Sequence, residues 1–144
     1  VAYDPFLKRM YEGGRGGGSF CDEVPLGVSE TGLRGGRVGL TSGVQRLRTL
    51  SYIPVLEKEG TYFSVMSGAV YKACLVARGK LVGYIEAGVA AHDVAAVHVI
   101  VEEAGGKITG MDGSVLDYTN PFRGAIISNG VVHEKLVEIV SRAL

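Results

Sequence analysis

The rhythm of hydrophobic positions changes near residue 36. Before it, short runs of apolar residues are interrupted by glycine; after it, strand-length apolar runs alternate with helix-length stretches. Residues 1–4 and 9–13 read as two strands joined by a turn over 5–8. Downstream, the pattern predicts strands over 37–41, 62–66, 81–86 and 124–128, and helices over 45–58, 69–78, 94–104 and 131–143. Pro54 should break or restart the first of these helices. Gly79 and the Gly105-Gly106 pair should stop the second and third. Residues 107–109 and 114–118 flank Met111-Asp112-Gly113, a hairpin-like turn signal. In the last helix Val132, Leu136, Ile139, Val140 and Ala143 share a face. The 94–104 helix is apolar on almost every side, which predicts burial between layers. This alternation predicts an α/β layered domain with a mixed, partly parallel sheet over 37–144, preceded by a glycine-rich β segment over 1–36.

Composition supports a folded chain and narrows its partners. Of 144 residues, 47% are apolar and 21% charged, well outside the range of disordered segments. Fifteen basic and fifteen acidic residues cancel, which argues against a nucleic-acid surface, although Arg34, Arg37, Arg46 and Arg48 cluster in sequence. Cys21 and Cys74 lack the spacing of a zinc or redox pair; they read as reduced thiols, with Cys74 on a buried helix face. A reducing cytoplasm fits, and no apolar run is long enough to span a membrane. The chain opens inside a strand at Val1, without methionine, which points to sequence upstream.

Candidate chemistry concentrates between Leu81 and Gly106. The strand ending in Glu86 runs through a small-residue loop to His92, Asp93 and a helix. In open α/β sheets, ligands gather beyond the carboxyl ends of strands, and helix amides favour an anion there. Asp93 could hold a hard cation or simply cap the helix, and local features favour the cap. Glu86 could be a ligand contact or a solvated strand end. His92 and His98 fit no metal-ligand spacing and read as core or cleft-wall residues. The Gly13–Gly18 run lacks the lysine and following helix of a phosphate loop, so it reads as a strand edge or turn.

The run Ala91-His92-Asp93-Val94-Ala95-Ala96, continuing to Glu103-Ala104-Gly105-Gly106, resembles the C-terminal signature of the inositol monophosphatase family. The stretch from Ser67-Gly68-Ala69 through Cys74 and Gly79 to Tyr84 resembles that family's Gly-Ser-Ala-Ala helix and following strand. Tyr3-Asp4-Pro5 through Gly16-Gly17-Gly18 to Val28-Ser29 resembles its mid-chain β region. The resemblance implies the C-terminal part of an αβαβα fold and hydrolysis of a small phosphorylated metabolite with magnesium (Mg2+). It implies that Asp93 is a metal ligand, that Glu86 binds a substrate hydroxyl, and that Ser67, Gly68 and Ala69 line the substrate. A homodimer is a further implication.

His92 replaces the family's tryptophan, and Ser67-Gly68 reverses the usual Gly-Ser order. The family's Asp-Pro-x-Asp-Gly-Thr motif and an upstream metal-binding glutamate are absent; Asp112-Gly113 is no substitute. Residues 1–36 are then the β-rich tail of a missing N-terminal domain, 37–144 the C-terminal domain, and no catalytic residue is assigned in this chain. The expected parent is a Mg2+-dependent phosphomonoesterase acting on an inositol phosphate-like, sugar, histidinol or nucleotide phosphate by metal-activated water. The alternative is a truncated, non-catalytic binding or subunit-contact domain of the same fold.

Overall fold

A computed structural model describes residues 1–41, 50–120 and 124–143. Two sheets and two groups of helices alternate. Strands β1 (Ala2–Asp4), β2 (Arg9–Gly14), β3 (Gly18–Cys21) and β4 (Val24–Pro25) form an antiparallel meander in chain order. Then come β5 (Arg37–Leu40), α1 (Ile53–Lys58), β6 (Tyr62–Val65), α2 (Ala69–Ala77), β7 (Gly83–Ala87), α3 (Ala91–Glu103), β8 (Lys107–Gly110), β9 (Gly124–Ser128) and α4 (His133–Ser141). The second sheet has the order β6-β5-β7-β9-β8; β5 is parallel to β6 and β7, whereas β9 is antiparallel to β7 and β8. The mixed, partly parallel sheet is as the alternation predicted.

Helices α2 and α3 lie between the sheets. Cys74, Val76, Val97, Ile100 and Val101 share a buried cluster with Tyr11 and Cys21 of the first sheet and Tyr84 and Ile127 of the second. The opposite face of the second sheet carries Val38, Ile85 and Ile126 against Leu56 of α1 and Leu136, Ile139 and Val140 of α4. Close approach of the meander to α3 depends on Gly13, where a Cβ would come within 3.0 Å of the Ile100 Cα.

Several expectations change. The meander has four strands rather than two; the 13–18 glycines form the β2–β3 turn, one of the two readings of that run, and two further strands follow them. The Glu103 carboxylate accepts from the amides of Gly16 at 2.8 Å and Gly18 at 2.9 Å. A protein anion therefore already fills the concavity that invites a phosphate-loop reading. Residues 114–118 are not a strand: Asp112 and Asp117 each hold a local turn, and β8 pairs with β9 instead. Pro54 sits in the first turn of α1, where a missing N–H costs nothing. The earlier part of the 45–58 prediction, and Arg46 and Arg48, lie outside the described residues. Helix α3 begins at Ala91, and its burial is incomplete: Val94, Val97, Ile100 and Val101 are buried, but Ala95 and Ala96 form an exposed stripe. Alanine tolerates either environment, so apolar periodicity overstated the enclosure. Cys74 is 1% exposed, and burial pushes its thiol up to about 12. No helix among the described residues is long and apolar enough to cross a membrane.

His133 is enclosed at 1% exposure. Its Nδ1 lies 2.8 Å from Ser128 Oγ and its Nε2 3.0 Å from Thr109 Oγ1, whose hydroxyl donates to the Gly110 carbonyl. That chain assigns the Nε2–H tautomer, with Ser128 donating to Nδ1. Protonation would place a second N–H against the serine hydroxyl. Burial, then the nearby Lys107 charge, push the imidazole down to about 4. The folded value lies below the unfolded one, so the unfolded chain binds the extra proton between pH 4 and 6.5. Stability is therefore lost as pH falls through that window. Acidification from pH 7 to 5 should cost about 2 kcal/mol through this residue. Urea unfolding of wild type and His133→Gln at both pH values checks it; an unchanged pH difference in the variant would refute the assignment.

Candidate active site

Leu40, Val65 and Ala87 end three parallel strands at one edge of the second sheet, and α2 and α3 begin just beyond that edge. Gly68 caps the start of α2 with φ of 88°, a conformation that favours glycine. The reversed Ser67-Gly68 order thus puts glycine where the backbone requires it. The Gly68 carbonyl accepts from Lys72 N–H at 3.1 Å, and no side chain caps the helix. Ser67 and Gly68 are exposed and Ala69 is half-buried.

Asp93 occupies the third position of α3, and Ala90 the cap. The reading of Asp93 as the cap itself is corrected by its place three residues beyond the cap, in the first turn. Ala90 has no side-chain oxygen, and Asp93 Oδ2 instead accepts the Ala90 N–H at 3.0 Å. This is the reciprocal half of a capping box. The other carboxylate oxygen lies 3.8 Å from His92 Nε2, and the Asp93 side chain is 37% exposed. His92 is no core or cleft-wall residue, since its side chain is 84% exposed. His98 is half-buried, with Nδ1 bonded to the Tyr118 hydroxyl and Nε2 3.1 Å from Glu102. It pins the 114–120 loop to α3.

Glu86 is not a solvated strand end. It is 7% exposed, and its Oε2 receives Tyr84 OH at 2.6 Å and Lys72 Nζ at 3.1 Å. Lys72 Nζ also donates to the Leu40 carbonyl at 3.3 Å and lies 4.3 Å from the Tyr84 ring centre. Sequence reasoning missed Lys72. The signal was a lone cation inside the otherwise apolar Val70–Val76 run, a position that a buried partner must explain.

The structure divides the predicted residues. Glu86 is the penultimate residue of β7, and Asp93 lies in the first turn of the helix after it. Ser67 and Gly68 instead line a cavity of about 610 Å³ with Tyr3, Phe6, Tyr11 and Val70, an apolar set that neither Glu86 nor Asp93 joins. Among the described residues, no three of His, Cys, Asp and Glu converge in a way that could hold a metal ion. One exposed carboxylate with half its capacity spent on Ala90 does not complete a magnesium site, which needs near-octahedral oxygen ligation.

A profile of the inositol monophosphatase family matches residues 1–144. The chain is 35% identical over 143 residues to the chloroplastic phosphatase IMPL1 of Arabidopsis thaliana, covering 94% of this chain and 37% of that protein. It is 28% identical to the fructose-1,6-bisphosphatase/inositol-1-monophosphatase of Thermotoga maritima, covering 100% of this chain and 55% of that protein. Its fold superposes on the inositol monophosphatase from Anabaena (Nostoc) sp. PCC 7120 with a TM-score of 0.83 at 27% identity, over 97% of this chain and 57% of that one. The chain thus spans about half the length of the relatives it matches. A profile match from end to end, a relative 35% identical over 94% of the chain and a layered α/β fold shared with a solved family structure place this chain in the inositol monophosphatase family.

Proposed function

We propose that this chain is the C-terminal portion of a Mg2+-dependent phosphomonoesterase that hydrolyses a small phosphorylated metabolite. The observation that supports this most directly is the placement of Asp93. Its carboxylate stands in the first turn of α3, just beyond the strand that carries buried Glu86, in a chain that matches a phosphatase family throughout. In this reading Asp93 contributes one charged oxygen to a metal site. The remaining ligands, and the group that activates water, come from outside these 144 residues. Magnesium, when bound, supplies charge stabilisation and an activated water. Glu86 accepts a substrate hydroxyl, and the backbone at Ser67, Gly68 and Ala69 lies along the substrate. Residues 1–36 form the tail of an N-terminal domain, and 37–144 the C-terminal domain. Tyr11 and Cys21 join the two through the α2–α3 layer. A cytoplasmic setting suits the two buried free thiols.

The second reading is a non-catalytic domain that keeps the fold for binding. That no three potential metal ligands converge among the described residues favours it. An Asp-Pro-x-Asp-Gly-Thr run upstream in the complete reading frame supports the enzyme.

Two experiments test the proposal. The 144-residue chain alone should release no phosphate from inositol 1-phosphate above background, with or without Mg2+. Robust Mg2+-dependent turnover by the purified chain would show that the metal site is complete within it. The second uses the protein expressed from its complete reading frame. Asp93→Asn keeps an oxygen for the Ala90 N–H and loses only a charge near a helix N-terminus, worth about 0.3–1 kcal/mol. The unfolding midpoint should barely move, while phosphate release falls roughly a hundredfold and the Mg2+ requirement rises, as loss of a metal ligand demands. Wild-type activity and Mg2+ dependence would leave Asp93 as a helix-start residue alone.

A further inference from the structure

Among the described residues, Lys72 is the one buried cation that the functional reading leaves unused. It projects from the middle of α2 into an apolar layer at 1% exposure and ends in a closed set of contacts: the Glu86 carboxylate at 3.1 Å, the Leu40 carbonyl at 3.3 Å and the face of Tyr84 at 4.3 Å. Those contacts come from β5 and β7, two neighbouring strands. The ammonium therefore has its position fixed from two sides and from its own helix. Tyr84 adds a hydroxyl that donates to the same Glu86 oxygen.

Both bonds to Glu86 fall on Oε2. Among the described residues Oε1 accepts no hydrogen bond, and the side chain keeps 10% of its surface exposed. Resting on the reading that Glu86 contacts substrate, we propose that Lys72 is a specificity-determining residue. It tunes the Glu86 subsite to accept a neutral hydroxyl and to reject a cationic amine.

The physical reason is charge balance. A lone carboxylate in a site of low dielectric attracts an ammonium group far more strongly than a hydroxyl. With Lys72 in contact, the pair is neutral overall, and an incoming cation on Oε1 would meet the Lys72 ammonium a short distance behind the carboxylate. A hydroxyl donates to the same oxygen without meeting that repulsion. Built-in repulsion of the wrong ligand is how a single subsite separates two groups of similar size. The substrate class selected is a polyol or sugar phosphate, not an amino-alcohol phosphate.

The test compares inositol 1-phosphate with histidinol phosphate on protein from the complete reading frame. Each is measured by kcat/KM and by the rise in unfolding midpoint that it produces. Wild type should prefer the polyol ester by tenfold or more. Lys72→Gln keeps a donor for Glu86 while removing the charge. It should move that ratio at least tenfold toward the amino-alcohol ester, chiefly through KM, and Lys72→Arg should restore it. Glu86→Gln should raise KM for the polyol ester; no change there sinks the substrate contact of Glu86, independently of Lys72. An unchanged ratio in folded Lys72→Gln, with Glu86→Gln impaired, overturns the role of Lys72 alone. If Lys72→Gln does not fold, the wild-type ratio decides: equal use of both esters, or preference for the amine, overturns the proposal. Neither turnover of nor binding to either ester overturns the phosphatase reading and this inference with it.

Discussion

Helices α2 and α3 must satisfy a sheet on each side, and the architecture follows from that double demand. A helix with two buried faces needs small or β-branched residues all along its contact stripes, so that both sheets can approach. Helix α2 meets the demand with Ala73, Cys74, Val76 and Ala77, and α3 with Val94, Val97, Ile100 and Val101. The connectivity then fixes where the helices start. From β5 the chain passes through α1 to β6, and from β6 it returns through α2 to β7 on the other side of β5. Parallel crossovers are right-handed, so a reversal of direction puts the two helices on opposite faces. Leu56 of α1 is accordingly buried on one face of the sheet and Cys74 of α2 on the other. The starts of α2 and α3 come out at the carboxyl edge of the parallel strands, which is where Glu86 and Asp93 stand.

That much was legible in the sequence because strand and helix periods alternate cleanly after residue 36. Glycine carried the least reliable signal. The 13–18 run read as a strand edge or turn, and it is the turn of a hairpin, but the pattern did not show that Glu103, distant in sequence, supplies the acceptor for its amides. No local pattern announces a partner 87 residues away. The same limit applies to residues 114–118, whose apolar members suit a strand but where Asp112 just before the stretch and Asp117 within it hold the backbone in turns. Among the candidate residues, Asp93 was singled out by its loop and assigned as a metal ligand only through the family resemblance, and the Ser67–Ala69 turn came from the resemblance alone. What the chain pattern alone showed was an acidic residue at a helix start, and that describes a cap as well as a ligand. Of the two readings of Glu86, the solvated strand end fails, because its enclosure depends on Lys72 and Tyr84, which converge only once α2 packs on the sheet.

Two buried polar clusters occupy the second sheet, and the register places them at opposite ends. Glu86 pairs with Ala125, whereas Ser128, which holds His133, pairs with Gly83 at the start of β7. The His133 cluster sits at the amino end of the parallel strands and is neutral. Its hydrogen bonds run in one direction from Ser128 through the imidazole and Thr109 to a backbone carbonyl, so nothing is left for a ligand. Stability alone accounts for it.

Stability does not account for Lys72 and Glu86. An ion pair removed from water repays its desolvation only partly, and well-packed apolar residues of similar volume commonly do as well or better. The surrounding layer of Ala73, Cys74 and Val76 shows that apolar residues suit this environment. Placing the pair here therefore costs stability that a leucine and a methionine would not. The expense is concentrated at the carboxyl edge of the parallel strands, beside two helix starts, where an α/β sheet holds its ligands. The charged pair is found at the end of the sheet where a ligand would use it, and the neutral network at the end where none is expected.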